Sequence, residues 1–161
     1  NYVAAASGAG LASPTRGVMA GGDAPAYTNV IQYLTISTTG NTADFGDLST
    51  LRGYVVGASS ATRGLLMSGY NPSPGTNMNI IQFVTIATSG DATDFGDLTE
   101  ATRHSGGASS CTRAVHFHGL SFSGDIDYVT ISTTGDAVDF GDSSQARRGS
   151  AGCSNAHGGL G

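Results

Sequence analysis

Lysine and tryptophan are missing from this chain of 161 residues, and its seven basic side chains are all arginine. These arginines are spread along the sequence, whereas a phosphate-binding surface needs clustered lysine and arginine. Twelve acidic residues give a formal net charge of -5. We therefore predict no nucleic-acid partner.

Long apolar runs are also missing. No apolar stretch reaches the roughly 18 residues that a membrane-spanning helix needs, so we expect no membrane insertion. Asn1 stands where an initiator methionine would, and no basic segment with an apolar stretch after it follows. We expect the chain to be a processed product or a piece of a longer protein.

Cysteine and glutamate are scarce. Cys111 and Cys153 are the only cysteines, and neither stands in a CxxC motif, so we expect two free, packed thiols. Glu100 is the only glutamate, and no G-x-S-x-G, H-E-x-x-H or P-loop motif occurs. The DFG triplet at residues 44–46 matches a kinase motif, but no companion kinase motif accompanies it. We predict no enzymatic activity and no cofactor.

What the sequence does contain is an internal repeat. Residues 30–49 read VIQYLTISTTGNTADFGDLS, residues 80–99 read IIQFVTIATSGDATDFGDLT, and residues 125–144 read DIDYVTISTTGDAVDFGDSS. A second block, GASSATRGLLMSGY at residues 57–70, matches residues 107–120 and, more loosely, residues 7–22. We predict one repeat domain over 1–161, with units at about 1–49, 50–99 and 100–144 and a partial unit at 145–161.

Each unit carries four strand signals separated by turn residues, and no window has helical periodicity, which predicts an all-β fold of four-stranded antiparallel units. The third strand is apolar on both faces, with Ile81 and Phe83 on one and Val84 and Ile86 on the other. Two apolar faces indicate a sheet covered on both sides. The small residues of the first strand suit a crowded axis, so we interpret the units as β-propeller blades. A β-solenoid or a β-prism-like stack remains the alternative.

The residue pattern resembles kelch-type propeller repeats. The glycine pair of Met19-Ala20-Gly21-Gly22 is similar to the kelch glycine doublet, which the other units carry incompletely. Aromatic residues recur on the third and fourth strands at steps of 50 and then 45 residues: Tyr33, Phe83 and Tyr128, and Phe45, Phe95 and Phe140. The resemblance implies kelch-like blades that close into a ring.

The run TISTTGNxxDFGDL at residues 35–48, followed by SSATRG at residues 59–64, resembles repeats of structural and tail-fibre-like proteins of marine tailed bacteriophages, especially those that infect cyanobacteria. This resemblance implies a virion-associated protein that contacts a host or builds the particle, located on the virion or outside the cell. It brings no set of catalytic residues.

Candidate binding residues lie in the loops that vary between units, at residues 23–29, 71–79 and 121–125. They combine aromatic rings and amides, which suit sugars or protein surfaces: Tyr27, Tyr70, Asn71, Asn77 and Phe122. Ordinary surface loops are the alternative interpretation.

Three arginines recur five or six residues after the second aspartate of DFGD: Arg52, Arg103 and Arg148. An Arg–Asp pair with Asp44 or Asp47 and their counterparts would make them a structural joint. Alternatively, their planar forks would bind an acidic glycan or another carboxylate. Both interpretations stay open at this point. A different set, Arg16, Arg63 and Arg113, lies in turns that Ser and Thr side chains are expected to cap.

Metal binding is a minor possibility. His116 and His118 form an H-x-H pair on one strand and point to the same face, which could hold zinc with a third ligand. No other unit has this pair, so we interpret it as an ordinary polar strand face and predict no metal. The turns at Asp91 and Asp136 lack the spacing of a calcium loop.

Three units are fewer than the four to eight blades of a usual propeller. We therefore expect the chain to associate with itself or to belong to a longer array, for instance with two chains supplying six blades. Three functions compete: a host-binding module for a glycan or protein, a purely architectural self-assembling repeat, and a glycan-active propeller enzyme.

Overall fold

A computed structural model describes residues 7–120 and 124–153 of the chain. These residues form an all-β fold of three antiparallel sheets. Of the residues described, none lies in a helix that could cross a bilayer. The all-β prediction is confirmed.

Each sheet corresponds to one repeat unit. Unit 1 consists of β1 (Ala9–Ala12), β2 (Arg16–Ala20), β3 (Val30–Thr35) and β4 (Ala43–Asp47). Unit 2 consists of β5 (Val56–Ser59), β6 (Arg63–Met67), β7 (Tyr70–Asn71), β8 (Thr76–Thr85) and β9 (Thr93–Thr102). Unit 3 consists of β10 (Gly106–Ser109), β11 (Arg113–Phe117), β12 (Asp125–Thr130) and β13 (Val138–Asp142).

In units 1 and 3 consecutive strands pair as a meander, and none of the three sheets closes on itself within the described part of the chain. Unit 2 differs because the short strand β7 pairs with the beginning of β8, with Tyr70 opposite Asn77. This hairpin occupies much of the predicted 71–79 loop, so the prediction of a loop without strands is wrong there. The reason is that Pro72 to Gly75 form a tight turn, which lets the flanking residues pair.

The turn between the first two strands is capped by a serine in every unit. The backbone N–H groups of Arg16, Arg63 and Arg113 each donate a hydrogen bond of 3.1 Å to the Oγ atom of the serine three residues earlier. The predicted capping is confirmed. It positions each arginine at the start of the second strand, where its guanidinium lies 4.4 Å from the aromatic ring on the third strand.

Two hydrophobic cores lie between neighbouring units and not within one sheet. The first joins units 1 and 2 and contains Phe45, Val84 and Ile86. The second joins units 2 and 3 and contains Ile81 and Phe95. The third strand of unit 2 thus contributes one face to each core, which confirms that both of its faces are covered.

Main-chain hydrogen bonds join the outer edges of the units. The N–H groups of Gly90 and Ala92, in the β8–β9 turn of unit 2, donate to the carbonyl oxygens of Phe45 and Asp47 in β4 at 2.7 and 2.9 Å. Gly46 has φ of 148°, and a Cβ there would collide with the Gly90 carbonyl. Units 2 and 3 repeat this joint, with Gly96 against Gly135.

The turn arginines strengthen the same joints. Arg16 Nη1 donates to the carbonyl oxygen of Ile86 in unit 2 at 3.0 Å, and Arg63 Nη1 donates to that of Ile131 in unit 3 at 2.9 Å. The sequence predicts that these arginines lie in the turns, but it does not predict their hydrogen bonds to the next unit. A charge-assisted bond to a carbonyl is stronger than a neutral one.

The first strands lie side by side along the inner edge. A Cβ at Gly57 would collide with the carbonyl of Gly10, and one at Gly152 with that of Gly107. Ser59 Oγ also donates to the carbonyl of Ala12 at 2.9 Å. Small first-strand residues therefore allow the backbones to approach closely, as predicted. Among the residues described up to 153, those from 145 onward form no strand.

Both cysteines are free, as expected, but Cys111 and Cys153 are exposed. The expectation of packed thiols is therefore wrong. Cys111 lies in the β10–β11 turn, which projects away from the inter-unit core.

Candidate functional site

Side chains from several loops meet at the end of the sheets where β2, β4, β6 and β9 finish. The rings of Tyr27 and Tyr70 are tilted against each other with their centroids 5.9 Å apart. The Arg103 guanidinium lies 4.3 Å from the Tyr70 ring, an arrangement that favours cation–π attraction. Tyr54 and His104 form a second ring pair at 4.2 Å. We call these five residues the tyrosine cluster.

The backbone at two positions of this cluster is unusual. Tyr54 and His104 occupy the same place in successive units and have φ of 59° and 55°. Such left-handed conformations are uncommon for residues other than glycine, but Ser7 adopts the same one at the corresponding place of unit 1, with φ of 58°, so the conformation belongs to the repeat. They turn both side chains out of the strand direction, and this brings the two rings into contact across the boundary between units 2 and 3.

Charged groups surround the cluster. The Tyr54 hydroxyl donates a hydrogen bond to the Asp23 carboxylate, and this bond, together with burial and the negative charge, raises the pKa of Tyr54. Partial burial and the neighbouring Arg103 lower the pKa of His104. The cluster therefore offers aromatic faces, one carboxylate and one guanidinium within a half-buried surface.

Three of the predicted binding residues come together here: Tyr27, Tyr70 and Arg103. Sequence analysis missed Tyr54, His104 and Asp23. Tyr54 and His104 could have been found from their shared repeat position. Both carry a ring beside a first strand that otherwise consists of small residues.

The predicted amides lie beside the cluster but have structural roles. Asn71 Oδ1 accepts a hydrogen bond of 2.9 Å from the N–H of Ser73 and shapes the β7–β8 turn. Asn77 pairs with Tyr70 in the ladder. Phe122 lies outside the described residues.

Arg52 is fully buried in unit 2, with 0% of its surface exposed. Its Nη2 atom donates to Gln82 Oε1 at 2.8 Å and to the Leu66 carbonyl at 3.3 Å, and its Nη1 atom donates to the Ser68 carbonyl at 3.2 Å. Burial lowers the pKa of Arg52 to about 10. The expected pair between Arg52 and an aspartate is therefore wrong, because the guanidinium donates its hydrogen bonds to oxygen atoms of its own sheet.

Arg148 is exposed near the end of the described chain. It lines a cavity of about 450 Å³ together with His118, Asp125 and Arg147. The three repeated arginines thus occupy three different environments.

His116 and His118 are both buried, with 1% and 4% of their surfaces exposed, and their rings meet edge to face at 5.0 Å. They share a face as predicted, but the interpretation as an ordinary polar strand face is wrong, because neighbouring strands cover that face. Burial and the proximity of His118 lower the pKa of His116 to about 3. Neither ring nitrogen of His116 has a hydrogen-bond partner.

His118 forms a hydrogen bond with a buried aspartate. Its Nε2 atom lies 2.8 Å from Asp127 Oδ2, and the Thr99 N–H and hydroxyl also donate to that carboxylate at 3.0 and 2.8 Å. Burial opposes ionisation of Asp127, but the bonds from His118 and Thr99 outweigh it and lower the pKa of Asp127. The pair is a rigid polar element inside unit 3.

No protein-family profile matches the chain, and no curated protein matches it.

Proposed function

We propose that the chain is a non-enzymatic repeat scaffold that binds a glycan or a protein on a host surface through its loops. The observation that carries this proposal is the contact between Tyr27 and Tyr70. Tyr27 lies in the β2–β3 loop of unit 1 and Tyr70 in β7 of unit 2, and Arg103 joins them from the boundary with unit 3. Binding residues on loops held by a rigid frame are a common arrangement in repeat proteins.

The chemistry of the tyrosine cluster suits a carbohydrate. Aromatic faces pack against the apolar faces of sugar rings, while hydroxyl and carboxylate groups accept or donate hydrogen bonds at the ring edge. Asp23 and Tyr54 supply such groups next to the rings. Arg103 adds a positive charge, which favours an acidic or sulfated sugar over a neutral one.

The setting of this binding is proposed from the repeat motif. The likeness of residues 35–48 to phage tail-fibre repeats supports a place on a virion or outside the cell. An adhesion role would then use the loops to recognise the host envelope.

The experiment is a glycan-array and host-cell binding assay with the purified chain. Replacing both Tyr27 and Tyr70 by alanine should abolish binding, because the stacking faces are lost. The Tyr70→Phe variant keeps the ring and serves as the matched control, so it should bind nearly as well as the wild type. A Gly/Ser replacement of residues 72–75 tests the turn while leaving β7 and β8 paired.

Equal binding by the double alanine variant and the wild type would contradict this proposal. Circular dichroism and unfolding curves of each variant exclude loss of the fold as the cause of lost binding.

A second candidate function is architectural, and the exposed end faces of the array favour it. On unit 3, Phe140 is 53% exposed, whereas its counterpart Phe95 is 3% exposed under the next unit. On unit 1, Ile36 is 53% exposed, whereas its counterpart Ile86 is fully buried. Large exposed apolar patches of this kind mark interaction surfaces.

The two end faces are complementary because they are the two halves of a joint that occurs twice within the chain. Gly141 repeats Gly46 and Gly96 with φ of 126°, and a Cβ added there would meet none of the described residues within 4 Å. Gly40 repeats Gly90 and Gly135, whose N–H groups donate to Phe45 and Phe95 of the preceding unit. We therefore propose that a further repeat unit covers each face, supplied by a second copy or by a longer array.

Closure of such an array into a propeller-like ring is part of this second proposal, and two chains would supply six units. Native mass spectrometry of the 16.1 kDa chain tests it. A discrete dimer supports a ring, and growth with concentration supports an open array. A monomer at every concentration argues against self-assembly of this chain.

A further inference from the structure

Units 2 and 3 differ in what fills the interior next to the second and third strands. In unit 2 that space holds the Arg52 guanidinium. Its oxygen partners are the carbonyls of residues 66, 68 and 80 and the side chain of Gln82. A cation therefore sits at the centre of four acceptors from one sheet.

Unit 3 has no arginine at this place. In the repeat register Thr102 replaces Arg52, and it uses its hydroxyl to accept hydrogen bonds from the N–H groups of Gly119 and Leu120. Arg103, the next residue, points to the Tyr70 ring instead.

The residues around the space change at the same time. Four positions of the repeat change between unit 2 and unit 3. Unit 2 has Leu66, Ser68, Ile80 and Gln82 where unit 3 has His116, His118, Asp125 and Asp127. At the junction before unit 3, Glu100 corresponds to Thr50 at the junction before unit 2. The exchange replaces apolar and neutral side chains by imidazoles and carboxylates. It also concentrates negative charge at the place where the guanidinium is lost.

Three of these side chains converge. One ligand atom each from Glu100, His118 and Asp125 lies within 4.8 Å of the other two. This distance is somewhat longer than the separation of ligand atoms around a zinc ion, whose bonds are about 2.0–2.2 Å. Glu100 is exposed, so its side chain has room to adjust toward an ion.

The environment of the His118 ring suits metal coordination. Its side chain is fully buried, and Nε2 is fixed by Asp127 at 2.8 Å. The other ring nitrogen, Nδ1, is buried and has no hydrogen-bond partner among the described residues. A buried nitrogen without a partner is costly, and coordination of an ion would satisfy it.

The Asp127 contact matches the outer shell of metal sites. A metal-binding histidine usually bonds through its second nitrogen to a carboxylate, which fixes the ring and makes it a better donor. Asp127 does this for His118, and Thr99 holds Asp127 in place.

We propose that Glu100, His118 and Asp125 bind a divalent transition-metal ion, with zinc the best match to one imidazole and two carboxylates. Three protein ligands leave at least one coordination position for water or a ligand. His118 and Asp125 are also among the residues that line the cavity of about 450 Å³. In unit 3 the bound ion would supply a positive charge, as the Arg52 guanidinium does in unit 2.

The test is calorimetric titration of Zn²⁺ into the full-length chain after removal of bound metal with EDTA and dialysis. We expect one ion per chain and an increase in the melting temperature. Co²⁺ serves as a spectroscopic stand-in. Its spectrum should lack the thiolate-to-metal charge-transfer absorption that binding by Cys111 or Cys153 would produce.

The variants Glu100→Gln and Asp125→Asn keep the shape of each side chain while removing its charge, and each should abolish the thermal shift. Asp127→Asn should weaken affinity about 10- to 100-fold, the usual effect of losing an outer-shell partner. Asp94→Asn removes an exposed carboxylate from the same strand as Glu100 and is the matched control, with binding unchanged.

Three results would overturn the proposal: failure of the wild type to bind either ion, unchanged binding in Glu100→Gln and Asp125→Asn, or a thiolate absorption band with Co²⁺. Because every readout is direct binding to a folded chain, none depends on the glycan or assembly proposals. Urea unfolding curves for the metal-free variants show whether a lost signal reflects the site or the fold.

Discussion

The Oδ1 atom of Asp91 accepts a hydrogen bond of 3.0 Å from the backbone N–H of Asp47, in the preceding unit. Asp136 accepts the same bond from Asp97 at 3.0 Å. Asn41 holds the corresponding place in unit 1, where no preceding unit exists within the chain. The outer joint between units thus combines main-chain bonds with one side-chain acceptor.

Removing that acceptor should weaken the joint. We expect Asp136→Ala to lower the free energy of unfolding by about 0.5–1.5 kcal/mol, the usual net contribution of one hydrogen bond. Asn41→Ala removes a side chain at the same repeat position in unit 1, where the chain has no preceding unit to bond. The free energy of unfolding should therefore change by nearly zero. Urea denaturation measures both, and equal losses would contradict this role of Asp136.

Glycine at the outer joint can be tested in the same comparative way. Gly96→Ala would place a Cβ against the Gly135 carbonyl at φ of 147°, while Gly141→Ala meets nothing within the chain at φ of 126°. Both variants carry strain of about 1–3 kcal/mol from the left-handed backbone. Gly96→Ala should cost clearly more because of the collision. Similar unfolding midpoints for the two variants would show that the close approach is unimportant.

Phe140 should control association between copies. We expect Phe140→Asp to weaken association by at least about 30-fold, the equivalent of losing an interface residue worth about 2 kcal/mol. Ala61→Asp adds the same charge in an exposed turn of unit 2 and should have no effect. Sedimentation velocity over a concentration series measures both variants. Unchanged association in Phe140→Asp would place the interface elsewhere.

Arg52 should be needed for stability even though it is a buried charge. In Arg52→Leu, Gln82 Oε1 and the Leu66 and Ser68 carbonyls lose their donor. Acceptors left unpaired in the interior cost about 1–3 kcal/mol, and we expect a loss of that size in chemical unfolding. The double variant with Gln82→Leu should recover part of it. An Arg52→Leu chain more stable than the wild type would show that the burial penalty of the charge dominates.

The repeat and the burial of both faces of the third strand were predictable, because apolar residues stand on both faces, Ile81 on one and Val84 on the other. The environment of Arg52 was not. The spacing after DFGD groups it with Arg103, but the repeat register aligns Arg103 with Gly53 and Arg52 with Thr102. Both arginines lie outside the strands, so strand periodicity could not show that Arg52 is buried and Arg103 is not.

Of the three proposed metal ligands, the sequence pointed only to His118, through the H-x-H pattern. Glu100, His118 and Asp125 come from three strand regions that are distant in sequence, so they share no local motif. Comparing units position by position would have shown His118 and Asp127 replacing Ser68 and Gln82. A histidine and a carboxylate that appear together in only one unit are a signal that the H-x-H pattern alone does not contain.

The glycine column Gly10, Gly57, Gly107 and Gly152 has a consequence for how such a protein can change its length. At two contacts of the inner edge main-chain atoms set the spacing, since Gly57 faces the Gly10 carbonyl and Gly152 faces the Gly107 carbonyl, whereas Gly107 faces the Val56 side chain. A duplicated or deleted unit would keep the main-chain fit at such contacts. Genetic recombination between units could therefore alter their number while leaving the inner edge intact, provided that these few positions lack a Cβ.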